Sequence, residues 1–391
     1  MLDTPFPPWP SFTQEEADAV SRVLLSNRVN YWTGCECREF EKEFAAWTGC
    51  EHAVALANGT VALDLALHVL EIGPGDEVVV TPRTFIASVS CVDNAGGMPV
   101  FADVDRDSQN ITAESIRSVL TPRTRAVICV HLAGMPCDMD PIMALATEKK
   151  LHVIEDCAQA HGALYMGRAV GALGDLAAWS FCQDKIITTG GEGGMLTTNR
   201  RDWWEKAWSY KDHGKSWDAV SCRQHSPGFR WLHESFGTNW RMTEMQAVIG
   251  RVQLGRMPAW HAARARYAEA IRTTALTLPG LRVPKIPHFI EHAWYKCYLF
   301  VRPDMLKTGW NRDRIVEETT LRGVPCYTGS CSEVYLEKAF DNKEFRPKQR
   351  MAVAKELGET SIMFLVHPTL TWNEIKKTCK ILGDVMALAS R

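Results

Sequence analysis

Short apolar runs and amphipathic runs alternate along the first half of the chain, most of them closed by glycine or proline. "HAVALANGT" reads as a strand ending at Gly59, and "TVALDLALHVLE" as a helix stopped by "GPG" at 73–75. The rhythm repeats. "DEVVVTP" is a strand and "FIASVSCVDNAGG" a helix, "PVFADVD" a strand and "TAESIRSVL" a helix, "RAVICVHLAG" a strand and "DPIMALATEKK" a helix, and "LHVIEDCAQA" a strand. Two further strand candidates flank a glycine cluster, one at Ala177–Phe181 and one just after Gly194. Upstream, Thr13 with Glu16 three residues on makes a capping box. Glu36–Trp47 reads as a helix stopped at Gly49. Fully apolar strands separated by helices predict βαβ crossovers and a mainly parallel sheet covered on both faces.

The alternation loosens after Pro258. "EMQAVIGRVQL" is a strong helix. Beyond it, "WYKCYLFVR" reads as a strand, "RIVEETTLRGVPCY" as a helix and a strand, and "NEIKKTCKILGDVMALAS" as a C-terminal amphipathic helix. A chain of 391 residues exceeds one compact core. The expected class is α/β, with a large domain over 1–255 and a smaller α/β domain over 256–391.

Composition narrows the function. Lys plus Arg is 44 against 46 Asp plus Glu, a net charge of -2, so no basic field argues for nucleic acid or an anionic membrane. The 13 cysteines form no repeating framework, which fits reduced thiols and a cytoplasmic setting. Cys35-Glu36-Cys37 and Cys326…Cys331 lack the paired spacing of a zinc site, and no metal is expected. The proline-rich start "MLDTPFPPWPSF" lacks the charged and apolar regions of a signal peptide. No apolar run of 18 residues exists to cross a membrane.

Ligands of parallel sheets sit at the carboxyl ends of the strands, so the polar residues there are the candidates. Asn58, Gly59 and Thr60 open a helix after the first strand. Free N–H groups at such a terminus make a phosphate cradle, although Thr60 also suits a routine cap. Phe85 follows the second strand, as a core residue or as an aromatic platform. Asp156 ends an apolar strand, where an acid must find a partner, most simply a buried cation, or else serve as a cap. Gln159 and His161 follow it. Lys185 sits in a short loop among Ser180, Thr188, Thr189 and the glycines at 190, 191, 193 and 194, which let the backbone pass close to something bulky. No G-x-x-x-x-G-K-[ST] or G-x-G-x-x-G is present. A phosphate cradle, a platform, a buried acid and a lysine on one sheet edge are together the needs of pyridoxal 5'-phosphate.

The segments "ANGTVALDLAL", "VVVTPRTFIAS", "VIEDCAQAHGALY", "WSFCQDKIITTGGEGGMLTTN" and "GTNWRMTEMQAVIGRVQL" lie in order between residues 57 and 254. Through them the chain resembles the DegT/DnrJ/EryC1/StrS family, the sugar-aminotransferase branch of fold type I pyridoxal-phosphate enzymes. The resemblance implies a fold type I α/β architecture. It implies that Lys185 carries the cofactor as a Schiff base and that Asp156 faces the pyridine nitrogen. It puts Gln159 beside the ring hydroxyl and Phe85 on the ring face. Gly59, Thr60 and Ser180 match phosphate contacts, with Val61 adding a backbone N–H. Asn239 matches an asparagine that reaches the phosphate from a neighbouring subunit, which implies a homodimer. The implied partners are an amino donor, by analogy L-glutamate, and a nucleotide-linked keto sugar.

Two rival readings remain on the same fold. One is a pyridoxal-phosphate-dependent sugar dehydratase, whose relatives replace the lysine by histidine or add an iron–sulfur centre. The other is a non-catalytic regulatory protein. The retained Lys185, with Asp156, Gln159 and Ser180, argues against both. The chain departs from its relatives at "GVPCYTGSCSEVY", Gly323–Tyr335, a segment near the substrate in the family, and at Ala133, where relatives often carry an aromatic. Several of its 14 tryptophans fall between Trp203 and Trp240, where core and interface packing is the expected use.

Overall fold

The structure, a computed structural model, describes residues 6–391. Two helices lead, α1 (Gln14–Leu25) and α2 (Glu36–Thr48). Glu16 accepts the Thr13 backbone N–H at 2.9 Å, and Gly49 ends α2 at φ 74°, a conformation glycine adopts without strain. Then come β1 (His52–Leu56), α3 (Gly59–Val69), β2 (Glu77–Val80), α4 (Ala87–Asn94), β3 (Met98–Phe101), α5 (Ala113–Arg117), β4 (Thr124–Val130), α6 (Met139–Lys149) and β5 (His152–Asp156). A small excursion, β6 (Leu164–Tyr165) and β7 (Arg168–Ala169), precedes β8 (Leu176–Ser180) and β9 (Gly194–Thr198). Helices α7 (Arg201–Lys211), α8 (Trp217–Ser221) and the long α9 (Glu244–Leu276) follow. The last third carries β10 (Leu281–Arg282), β11 (Ile290–Glu291), β12 (Cys297–Val301), α10 (Arg312–Leu321), β13 (Cys326–Tyr327), α11 (Ala352–Thr360), β14 (Ser361–Phe364) and α12 (Trp372–Ala389).

The large sheet has the order β1-β9-β8-β5-β4-β2-β3. β9 runs antiparallel to both of its neighbours, and the remaining pairs are parallel. Strands β2 and β8 are buried along their whole length, so both faces of the sheet are covered, as their unbroken apolar sequence requires. A second sheet, β10-β12-β14-β13, is antiparallel. It packs with the end of α9 (Tyr267, Ile271, Ala275) and with α12 (Leu382, Val385) into a second hydrophobic core. Tyr295, Tyr298 and Tyr335 from the last third return to the first core.

The boundary expected at 255/256 falls inside α9, which runs through Pro258 to Leu276. The helix begins under the large sheet and ends in the second core. The tryptophan-rich segment divides. Trp204, Trp208 and Trp217 pack edge to face with ring centres 4.8 and 4.9 Å apart, whereas Trp231 is 82% exposed. Among the described residues, no helix is long and apolar enough to cross a membrane.

Candidate active site

The carboxyl edge of the large sheet collects the residues singled out in the sequence. Gly59 opens α3 directly after β1. A Cβ added at Gly59 would sit 2.6 Å from Ser180 Cβ at the end of β8, so only glycine allows this approach. Asn58 caps α3, its Oδ1 accepting from Val61 N–H at 3.0 Å. The Val61 N–H is therefore already engaged, while Gly59 and Thr60 occupy the first positions of the helix. On the neighbouring strand Asp156 pairs in register with Ala178, two residues before Ser180.

Asp156 is 6% exposed. Its Oδ2 accepts from Ser88 Oγ at 2.7 Å and its Oδ1 from Ala158 N–H at 3.1 Å. Neither partner is a cation, contrary to the simplest sequence expectation. Thr84 Oγ1 lies 2.8 Å from Ser88 Oγ, so a chain of hydroxyls runs from the sheet edge to the acid.

Above this edge lies a cleft of about 1050 Å³ between the two cores. Phe85, Gln159 and Lys185 line it. Phe85 is 68% exposed, which excludes the core role and leaves its face free. Gln159 Oε1 accepts from Ala133 N–H at 2.7 Å, which fixes the amide orientation. Ala133 sits at φ 58° to make that contact. Lys185 is 16% exposed and stands 3.7 Å from Asp184. The divergent Gly323–Tyr335 segment supplies Tyr327, Gly329, Ser330, Cys331 and Val334 to the cleft wall. Asn239 is exposed, pairs by a backbone bridge with Asp212, and is not part of the lining. His161 lies buried against Trp179 and Phe181, and burial, reinforced by Lys185 and Arg264, lowers its pKa to about 3, so it is neutral.

Several cleft residues carry no signal in the sequence. Trp9 Nε1 donates to the Lys185 carbonyl at 2.8 Å, and the Trp9 ring stacks on His367 with centres 5.9 Å apart. Tyr295 donates its hydroxyl to Asp184, and the Lys185 ammonium lies 5.3 Å from the centre of the Tyr295 ring. Burial alone would raise the Asp184 carboxyl, but Lys185, the Tyr295 hydroxyl and Lys296 outweigh it and hold it below its usual range. Tyr295 is pushed well above its ordinary value by burial and by Asp184. Apart from Asp184, these residues come from the N-terminal segment and the last third of the chain. Of them, only Asp184, adjacent to Lys185, had a neighbour to draw attention to it.

Among the described residues one three-ligand cluster, His131, Glu155 and Cys157, is compact enough to suggest a metal. Its carboxylate already accepts from His131 at 2.9 Å and from the backbone N–H groups of Gly171, Leu173 and Gly174. That arrangement anchors the loop before β8.

The profile of the DegT/DnrJ/EryC1/StrS aminotransferase family matches residues 10–383, nearly the whole chain. The chain belongs to this family. It is 46% identical over 355 residues to the GDP-perosamine synthase of Caulobacter vibrioides, covering 89% of each chain. It is 36% identical over 374 residues to the dTDP-3-amino-3,4,6-trideoxy-alpha-D-glucose transaminase of Streptomyces venezuelae, covering 95% of this chain and 92% of the other. An aminotransferase structure from Psychrobacter cryohalolentis superposes with a TM-score of 0.97 at 62% identity, over 98% of this chain and 99% of that one. As a DegT/DnrJ/EryC1/StrS member the protein is an aminotransferase of fold type I, and its cofactor is pyridoxal 5'-phosphate. The geometry fits that group. A sealed carboxylate without a cation partner, an uncovered aromatic face, a lysine in the cleft and a glycine-permitted gap beside Ser180 are what its ring nitrogen, ring, aldehyde and phosphate require.

Proposed function

We propose that this cleft moves an amino group from an amino acid, L-glutamate, to a keto carbon of a nucleotide-linked sugar. The observation that carries the reading is the convergence of Lys185, Phe85 and Gln159 on one cleft, with Asp156 sealed at the sheet edge. In this reading Gly59, Thr60 and Ser180 hold the phosphate, Val61 contributing only if its N–H is shared with Asn58. Phe85 covers the ring, Gln159 lies beside its hydroxyl, and Asp156 keeps its nitrogen protonated. When bound, the cofactor supplies the electron sink that lets a Cα–H bond break. Lys185 Nζ takes the proton from the donor Cα and later delivers one to the sugar carbon, as general base and then acid. Asp184 steadies the resulting ammonium, and Tyr295 holds Asp184 in place. The Trp9 bond to the Lys185 carbonyl keeps the loop that carries this lysine in position.

The relatives named for GDP- and dTDP-linked sugars support the sugar class. The uncharged polar wall of Tyr298, Tyr327 and Ser330 suits sugar hydroxyls. Asn239, exposed and outside its own chain's cleft, supports a homodimer in which it completes the partner's site. The 13 free thiols support a cytoplasmic setting. The test is mass spectrometry of products formed from nitrogen-15 L-glutamate and a panel of keto-sugar nucleotides. A labelled amino sugar is expected. Turnover of glutamate with no labelled sugar from any acceptor would refute the sugar reading.

A further inference from the structure

Beside Lys185 the cleft carries more positive charge than its protein partners balance. Lys296 lines the cleft, and its ammonium lies 4.8 Å from the centre of the same Tyr295 ring that Lys185 approaches from 5.3 Å. Behind them Arg264 is 1% exposed. Its Nη1 reaches only the carbonyls of Trp294 and Tyr295, at 3.3 and 3.4 Å, and its Nε and Nη2 have no partner among the described residues. The Arg264 guanidinium lies 5.1 Å from the Trp9 ring, and Trp9 also lines the cleft. Against these three cations stands one acid, Asp184, whose hydrogen bond comes from Tyr295. His367 lines the same corner, and burial with Arg264 and Lys296 nearby lowers its pKa to about 3, so it adds no charge. Glu337 belongs to the other wall, beside Cys331. A buried cation without a counter-charge is costly, and a ligand that brings the missing anion removes that cost.

We propose that Lys296, with the Arg264 charge behind it, is the subsite for the carboxylate of the amino donor. This rests on the aminotransferase reading of the cleft. The donor must bring its Cα to Lys185 Nζ, and its α-carboxylate is one bond from that carbon. Its anion therefore falls near Lys185, on the side of the cleft where Lys296 meets the same Tyr295 ring. The diphosphate of a sugar nucleotide lies several bonds from the reacting carbon and cannot take this corner while the sugar reacts. A single lysine also suits a pocket that must release its acid and then admit an uncharged sugar, because it is a point charge on a flexible stem rather than a rigid two-pronged fork.

The charge is titratable in a useful range. Burial lowers Lys296 to about 8, opposed by Asp184 and reinforced by Arg264 and Lys185. The group is thus charged below that pH and neutral above it, and carboxylate affinity is lost as pH rises through about 8. Of the other groups facing Lys296, Asp184 is held low, Tyr295 is raised well above its usual value and His367 stays neutral. Burial lowers Arg264 to about 9, so it begins to lose charge toward the upper end of the range, and the part of the fall that Lys296→Met removes is the part that belongs to Lys296.

The test is calorimetric binding of succinate, an inert dicarboxylate, to the holoenzyme between pH 7 and 9. Lys296→Met should raise the Kd about 10- to 100-fold at pH 7, the range for losing a hydrogen bond between ionised groups. It should also abolish the fall in affinity across pH 8. Lys296→Arg should recover most of the affinity without restoring that fall, which a purely structural lysine would not produce. Cofactor absorbance before titration checks that each variant is loaded and folded. If neither variant loads, the wild-type pH profile decides. Failure of wild-type holoenzyme to bind succinate, an affinity flat across pH 8, or a Kd in Lys296→Met within twofold of wild type would each overturn the proposal. Failure of the aminotransferase reading is distinct: wild-type holoenzyme mixed with L-glutamate would then show no change in its cofactor spectrum.

Discussion

In the proposed reading the cofactor's chemistry depends most on Asp156, a buried carboxylate with no cation partner among the described residues of its own chain. Its two partners are a hydroxyl and a backbone N–H, both of which would also accommodate an asparagine side chain. Asp156→Asn should therefore leave the fold intact. It should remove the counter-charge of a buried ring nitrogen, at a cost of about 3–5 kcal/mol for breaking a buried pair at one end. Spectroscopic titration of apoprotein with cofactor should show weaker binding together with lost turnover, and unchanged affinity and rate would assign Asp156 another role. Asp156, Gln159 and Lys185 were legible in the sequence because each follows or ends a strand whose apolar run is unmistakable. Phe85 was legible only as an ambiguity, of which its exposure removes the core alternative. Trp9, Tyr295 and Lys296 were not legible. They reach the cleft by folding of distant segments, and no local pattern distinguishes a lysine opening a strand from one on the surface.

In the proposed reading the element that bears most on phosphate binding is the first turn of α3. Gly59 is there because β1 delivers the chain against Ser180 with no room for a side chain. Gly59→Ala would force the turn away from Ser180, so the sheet edge and the helix N-terminus could no longer converge. The expected outcome is a modest fall in melting temperature, of the order of a 1–3 kcal/mol overpacking penalty, with a disproportionate loss of phosphate-dependent affinity. Pyridoxal, which lacks the phosphate, should bind the variant and the wild type equally. Equal losses for pyridoxal and its phosphate would contradict the cradle. At this scale the strands of the large sheet were readable from their apolar runs, and the antiparallel β9 was readable as a strand but not in its direction. The two-residue strands β6, β7, β10 and β11 are too short to carry periodicity. Helix α9 passes through Pro258, although proline removes a ladder bond and usually ends a helix. Burial of its two halves in two different cores outweighs that local preference.

At the scale of the molecule, two cores and the N-terminal segment converge on one cleft, and in the homodimer proposed above Asn239 completes the phosphate site of the partner chain. Mixing Lys185→Ala chains with chains carrying the disruptive Asn239→Trp, each inactive alone, should restore part of the activity, since one site in each heterodimer has both native residues. Heterodimers that form yet recover no turnover would refute shared sites. Every role assigned to the cleft turns on which of its two lysines holds the cofactor. Lys185 and Lys296 approach the same tyrosine ring from 5.3 and 4.8 Å, so proximity alone does not decide between them. Borohydride reduction of the holoenzyme fixes the cofactor to its lysine, and peptide mass mapping then identifies the residue. The account predicts the phosphopyridoxyl mass on the peptide containing Lys185 and none on that containing Lys296; the label on Lys296, or on neither, would contradict it.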